Sequence, residues 1–93
     1  MEAELLLHDK QVLPGGNVVE IKIWKVPKSK DKPHGYKYSL VYIEKSQRII
    51  GYDNAEGKGD HMHYREEERP YKFKSIRSLI EDFYKAVIEE VSK

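Results

Sequence analysis

The 93-residue chain contains no cysteine, one tryptophan and two phenylalanines, and its formal net charge is only +1. Without thiols there is no disulfide framework and no thiolate zinc site, and the composition suits a reducing compartment, with the cytoplasm as the expected location. No stretch approaches the roughly 18 consecutive apolar residues that a bilayer span requires, so no membrane association is expected. The first ten residues place Glu2 and Glu4 ahead of three leucines, which is neither a basic leader nor an apolar segment of signal length. Internal repeats and low-complexity tracts are also missing.

What is present is enough to fold. Hydrophobic residues make up 39% of the chain and seven tyrosines are among them, too many core formers for a disordered segment. The length fits one hydrophobic core, so residues 1–93 are expected to form a single domain. The near-zero net charge hides an uneven distribution. Between Lys22 and Lys37 six lysines face Asp31 as the one acid, whereas residues 51–93 hold ten acids against eight Lys or Arg. A basic first half and an acidic second half suit a polyanion on one surface and a different partner on another.

Periodicity gives the elements. Leu5 to Leu13 reads as a strand that stops at Pro14-Gly15-Gly16-Asn17, a strong turn signal. Val19, Ile21 and Ile23 then alternate with Glu20, Lys22 and Trp24, sending the aliphatics to one face of a second strand. Pro27 to Gly35 has two prolines and reads as an exposed loop. Tyr36 to Ile43 is a third strand and Arg48 to Asp53 a short fourth, joined by a turn over Glu44 to Gln47. Arg65 to Arg69 reads as a solvated turn, and Pro70 to Phe73 as an edge strand led by proline. Leu79, Ile80, Phe83, Val87, Ile88 and Val91 recur at spacings of three and four, predicting an amphipathic helix over 75–91 with Ser75 as its N-cap. The expected fold is α+β: a small antiparallel sheet of four to five strands with one C-terminal helix packed on one face.

The reactive side chains concentrate in Gly51 to Tyr64, "GYDNAEGKGDHMHY". If Asp60-His61-Met62-His63-Tyr64 is extended, His61 and His63 point the same way. Two imidazoles that titrate near neutrality can serve as one neutral base and one protonated acid, which is what cleavage of RNA to a cyclic phosphate needs without a metal. Which ring takes which role is open. Lys58, between Gly57 and Gly59, is the candidate cation for the phosphorane, with the two glycines letting backbone N–H groups approach phosphate oxygens. Asp60 or Asp53 could accept from an imidazole N–H and fix its tautomer. Tyr52 and Tyr64 could stack on bases, and Lys28, Lys30, Lys32 and Lys37 could track an RNA backbone. The same His-x-His with Asp60 also resembles part of a metal site, which would need a further ligand such as His8 or His34.

Four segments, "MEAELLLHDKQVLPGGNVVEIKIWKVP", "HGYKYSLVYI", "IIGYDNAEGKGDHMHY" and "PYKFKSIRSLIEDFYKAV", resemble in that order the TumE family of toxin-antitoxin toxins. The family's central motif falls on Tyr52, Asp53, Asn54, Gly57, Lys58, Gly59, Asp60, His61 and His63, with Lys37 to Leu40 matching a second short motif. The resemblance implies a small prokaryotic toxin neutralised by an antitoxin encoded beside it. It implies no particular reaction. The leading reading is therefore a metal-independent endoribonuclease without a cofactor, with His61, His63, Lys58 and Asp60 catalytic and Tyr52, Asp53, Asn54, Gly57, Gly59, Tyr64 and the four lysines on the substrate. Its alternatives are a non-catalytic RNA- or target-binding protein and a metal-dependent phosphodiesterase. The edges offered by the fourth and the proline-led strand could pair with the antitoxin or with a second copy.

Overall fold

A computed structural model of the chain describes residues 3–55, 57 and 59–93, so the candidate cation Lys58 lies outside the described residues. The elements follow as β1 (Glu4–Val12), β2 (Val18–Lys25), β3 (Tyr36–Glu44), β4 (Gln47–Asp53), β5 (His61–Tyr64), β6 (Glu67–Pro70) and α1 (Ile76–Val91). All six strands form one antiparallel sheet in which spatial order equals chain order. Such a meander needs only tight turns between neighbours. Gly15 and Gly16 make the first with φ of +92° and +90°. Lys45 and Ser46 make the third as a two-residue turn, with φ of +50° and +65°.

Register divides the sheet into two chemically different faces. Ile21, Leu40, Tyr52 and Met62 oppose one another across four strands, and so do Lys22, Ser39, Asp53 and His61. Because directly opposed residues share a face, the period-two pattern of each strand is copied across the sheet. Val19, Ile21, Ile23, Tyr38, Leu40, Tyr42, Ile50 and Tyr52 form the buried side, where Leu79, Phe83 and Val87 of α1 complete the core. The helix lies over β4. Its start is set by Ser75, whose hydroxyl accepts from the Ser78 N–H at 3.0 Å. Its end is tied down by the nearly buried Glu90 carboxylate. That group accepts from the Tyr64 hydroxyl at 2.8 Å and pairs with Arg65 and Lys93. The Tyr64 hydrogen bond, more than the two cations, holds the Glu90 carboxyl below the usual range.

The α+β expectation holds, with one strand more than expected. Arg65 and Glu66 suffice for the turn, Arg65 taking φ of +55°, and the chain then re-enters as β6 over Glu67–Pro70. Pro70 thus closes an edge strand that it was expected to open, and residues 71–75 run as irregular chain to the helix. The sheet edges are β1 and β6, while β4 is interior. The helix stripe is also narrower than its periodicity suggests. Ile88 and Val91 are exposed, because the buried line runs i, i+4 through Leu79, Phe83 and Val87 and brings Glu90 inward instead. Among the described residues, no helix is long and apolar enough to cross a membrane.

Candidate functional site

The face left bare by the helix carries the histidines. On β5 His61 and His63 stand at period two, and pairing with β4 sets His61 opposite Asp53 and His63 opposite Gly51. Their ring centroids are 4.9 Å apart with planes at 81°. The Asp53 carboxylate serves both rings, Oδ1 at 2.7 Å from Nε2 of His61 and Oδ2 at 3.7 Å from Nε2 of His63. The other ring nitrogen of His61, Nδ1, lies 3.0 Å from the Gly59 carbonyl. Both nitrogens of His61 therefore face acceptors, and a ring donating from both satisfies both contacts. From the edge strand, Glu68 adds a second carboxylate 3.6 Å from Nε2 of His61.

His63 is pushed the other way. Burial lowers its pKa below the ordinary imidazole value, and the neighbouring Arg48 guanidinium lowers it further against the pull of Asp53. Two imidazoles at 4.9 Å are thus held in unlike surroundings, one between two acceptors and one beside a cation. They open into a cavity of about 420 Å³ lined also by Lys22, Trp24, Lys37, Ser39, Arg48 and Ala55. Lys37 sits over the Trp24 ring at 5.5 Å from its centroid. A larger groove of about 650 Å³ runs between α1 and the β4–β6 side, but it holds neither histidine nor Asp53. The histidine pair and Asp53 therefore belong to the smaller cavity.

The structure distributes the sequence candidates unevenly. Asp60 is adjacent in sequence to His61, but its carboxylate turns to the helix side of the sheet, where it accepts from the Tyr38 hydroxyl at 2.6 Å and meets Nε2 of His34 at 2.9 Å. Asp53 occupies the orienting place beside the histidine pair. Tyr52 and Tyr64 likewise face the helix: Tyr52 is in the core, edge-on to Tyr71 and Phe83, and Tyr64 holds Glu90. Neither presents a free ring to a base on the histidine side. Asn54 is fully buried, accepting from the Tyr38 N–H and donating to the Tyr36 carbonyl, so its side chain extends the β3–β4 pairing past Asp53. Gly59 contributes through its carbonyl on His61, with φ of +75°, and Gly57 is exposed with φ of +71°.

Of the four lysines, Lys37 reaches the cavity. Lys28, Lys30 and Lys32 stay on the β2–β3 loop, where Lys28 packs on Gly35 and Lys32 pairs with Asp31 at 2.7 Å. Lys22 and Trp24 were readable as the polar side of an alternating strand, whereas Arg48 carried no signal for its place in the site. Asp53, His61 and His63 bring three potential metal-ligand atoms within 4.8 Å of one another. The carboxylate in that set is Asp53 rather than Asp60, and the further ligands expected from sequence are engaged elsewhere, His8 with Glu20 and His34 with Asp60.

A protein-family model described as toxin TumE matches residues 3–91 of the chain. No curated protein and no solved structure matches it.

Proposed function

Because the chain belongs to the TumE family of toxins, we propose that it acts on its host by metal-independent cleavage of RNA at the helix-free face. The observation that carries this reading is one carboxylate shared by two imidazoles in unlike surroundings, beside a cavity lined with cations. An acid–base pair must hold one neutral and one protonated member at the same pH. Burial and Arg48 favour neutral His63, so His63 is the base that removes the 2′-hydroxyl proton. The 2′-oxygen then bonds to phosphorus as the bond from phosphorus to the 5′-oxygen breaks. His61, donating towards Asp53 and Gly59, supplies the proton to that oxygen as the oxygen takes the place of the carboxylate at Nε2. The products are a 2′,3′-cyclic phosphate and a 5′-hydroxyl. Lys22 and Lys37, which line the cavity, offer positive charge to the RNA backbone. The family implies an antitoxin as protein partner.

One observation favours a second reading. The bond from His61 Nδ1 to the Gly59 carbonyl is also what fixes Nε2 as a metal ligand, and Asp53 and His63 would complete a three-residue set. Incubating a defined RNA with the purified chain in EDTA, beside His61→Ala and His63→Ala, separates the readings. Cleavage that survives EDTA, leaves cyclic phosphate ends and disappears in both variants supports the acid–base pair. Loss of cleavage in EDTA, restored by one divalent metal, supports a metal-dependent phosphodiesterase. Binding without cleavage under every condition supports a non-catalytic toxin.

A further inference from the structure

One residue of the cavity reaches it against the normal alternation of its strand. Across the β3–β4 ladder Tyr42 opposes Ile50 but Ile43 opposes Arg48, leaving Ile49 as an extra residue. Such a bulge reverses the faces of what precedes it. In regular pairing Arg48 would share the helix side with Ile50 and Tyr52. With Ile49 inserted it shares the open side with Gly51 and Asp53.

The side chain then folds back along its own strand. A Cβ on Gly51 would lie 3.0 Å from Cδ of Arg48, 3.4 Å from Nε and 3.6 Å from Nη1. Gly51 sits in the middle of β4 without a positive φ, so its backbone conformation does not demand glycine; the space does. Directly opposite Gly51 is His63. Among the described residues Arg48 forms no ion pair, and it lines the cavity beside His63.

We propose that Arg48, turned onto this face by the bulge at Ile49 and seated on Gly51, is the residue that binds the scissile phosphate next to His63. A planar guanidinium matches two phosphate oxygens at once and stays charged, the property needed where negative charge grows on a phosphorane. Gly51 is then a positioning residue, acting through Arg48. This assignment rests on the phosphodiester reading of the cavity, and the test keeps the two apart.

Inorganic phosphate is titrated into the full-length chain at fixed pH in EDTA, following the imidazole resonances of His61 and His63. The same preparations are assayed for single-turnover RNA cleavage. Arg48→Met keeps the stem and removes the charge; Gly51→Ala keeps the charge and removes its seat. Both should weaken phosphate binding about tenfold or more while the unfolding temperature stays near that of the parent, with Arg48→Lys between the parent and Arg48→Met. Phosphate that binds Gly51→Ala and Arg48→Met as tightly as the parent overturns the assignment, as does phosphate that leaves the parent His63 resonances unmoved. If the parent binds phosphate through Arg48 yet leaves RNA intact, the anion site stands and the cleavage reading falls. If the parent cleaves RNA and Arg48→Met cleaves equally fast, the reverse holds.

Discussion

Nε2 of His61 and Oδ1 of Asp53 lie 2.7 Å apart on neighbouring strands, while Asp60, one residue from His61, gives its carboxylate to Tyr38 and His34 on the other side of the sheet. From sequence Asp60 is expected with the histidines and Asp53 on the substrate, whereas the structure sets Asp53 beside the rings and Asp60 in a different part of the molecule. Asp53→Asn should lower cleavage about 100-fold with little change in stability, since it keeps shape and removes the charge that orients the rings. Asp60→Asn should do the opposite, leaving the rate near that of the parent and costing about 1–3 kcal/mol of stability. Single-turnover rates and denaturant midpoints on both variants check this; a dead but fully stable Asp60→Asn would exchange the two roles.

How far the site was readable follows from the same pair. Alternation predicted that His61 and His63 share a face, because period two is a property of any strand, and it needed no knowledge of the neighbours. Spacings of three and four predicted the helix, and Ser75 its cap, both of which are local. Nothing local could decide between Asp53 and Asp60, or place Tyr52 in the core, because both depend on the register of β4 against β5. Arg48 was hidden for a different reason: a bulge inserts one residue and inverts the expected face, and Ile49 looks like any other strand aliphatic. The extra strand β6 was missed because Glu67 to Arg69 has the composition of a solvated turn, yet an edge strand exposed on both sides has no reason to be apolar.

The environment of His63 sets a pH dependence for both activity and stability. Burial and the Arg48 charge, with His61 adding to them and Asp53 and Glu68 opposing, put its folded pKa below the ordinary value of 6.5. The unfolded chain therefore binds the proton more readily, and the His63 contribution to stability is complete above pH 6.5 and lost as pH falls towards the folded pKa. Stability should decline as pH falls below 6.5, and His63→Gln should flatten that decline. Glu20 and Glu90, whose carboxyls are held below 4.5, lose their contributions only at lower pH and do not confuse the window. In the cleavage assay the acid limb of kcat/KM should lie below pH 6.5 and move upward in Arg48→Met, where one of the causes of the depression is gone. An acid limb that stays in place would dissociate Arg48 from His63.

Asn54 offers a stability prediction that separates a structural from a substrate role. Its amide oxygen accepts from the Tyr38 N–H at 3.1 Å and its amide nitrogen donates to the Tyr36 carbonyl at 2.8 Å, all without solvent contact. Asn54→Ala strands a buried donor and a buried acceptor on β3, so it should cost about 2–4 kcal/mol. Asn54→Asp should be nearly as costly, because a carboxylate repels the Tyr36 carbonyl it would face. Urea unfolding measures both. A stable Asn54→Ala with impaired RNA affinity would return Asn54 to the substrate.

The β3–β4 turn tests whether the meander carries avoidable strain next to the site. Lys45 and Ser46 occupy both central positions with φ of +50° and +65°, the geometry that two-residue hairpins prefer and that side-chain-bearing L-residues adopt at a cost of about 1 kcal/mol each. Lys45→Asn with Ser46→Gly places the sequence best suited to that turn there without touching the core. Stability should rise by about 1 kcal/mol, seen as a higher urea midpoint at unchanged slope. Because the turn immediately precedes Gln47 and Arg48, the variant also reports on the bulge. Unchanged phosphate affinity means Ile49 still sets the face of Arg48 by itself, whereas weaker affinity with higher stability would show that the strained turn helps to hold the arginine in place.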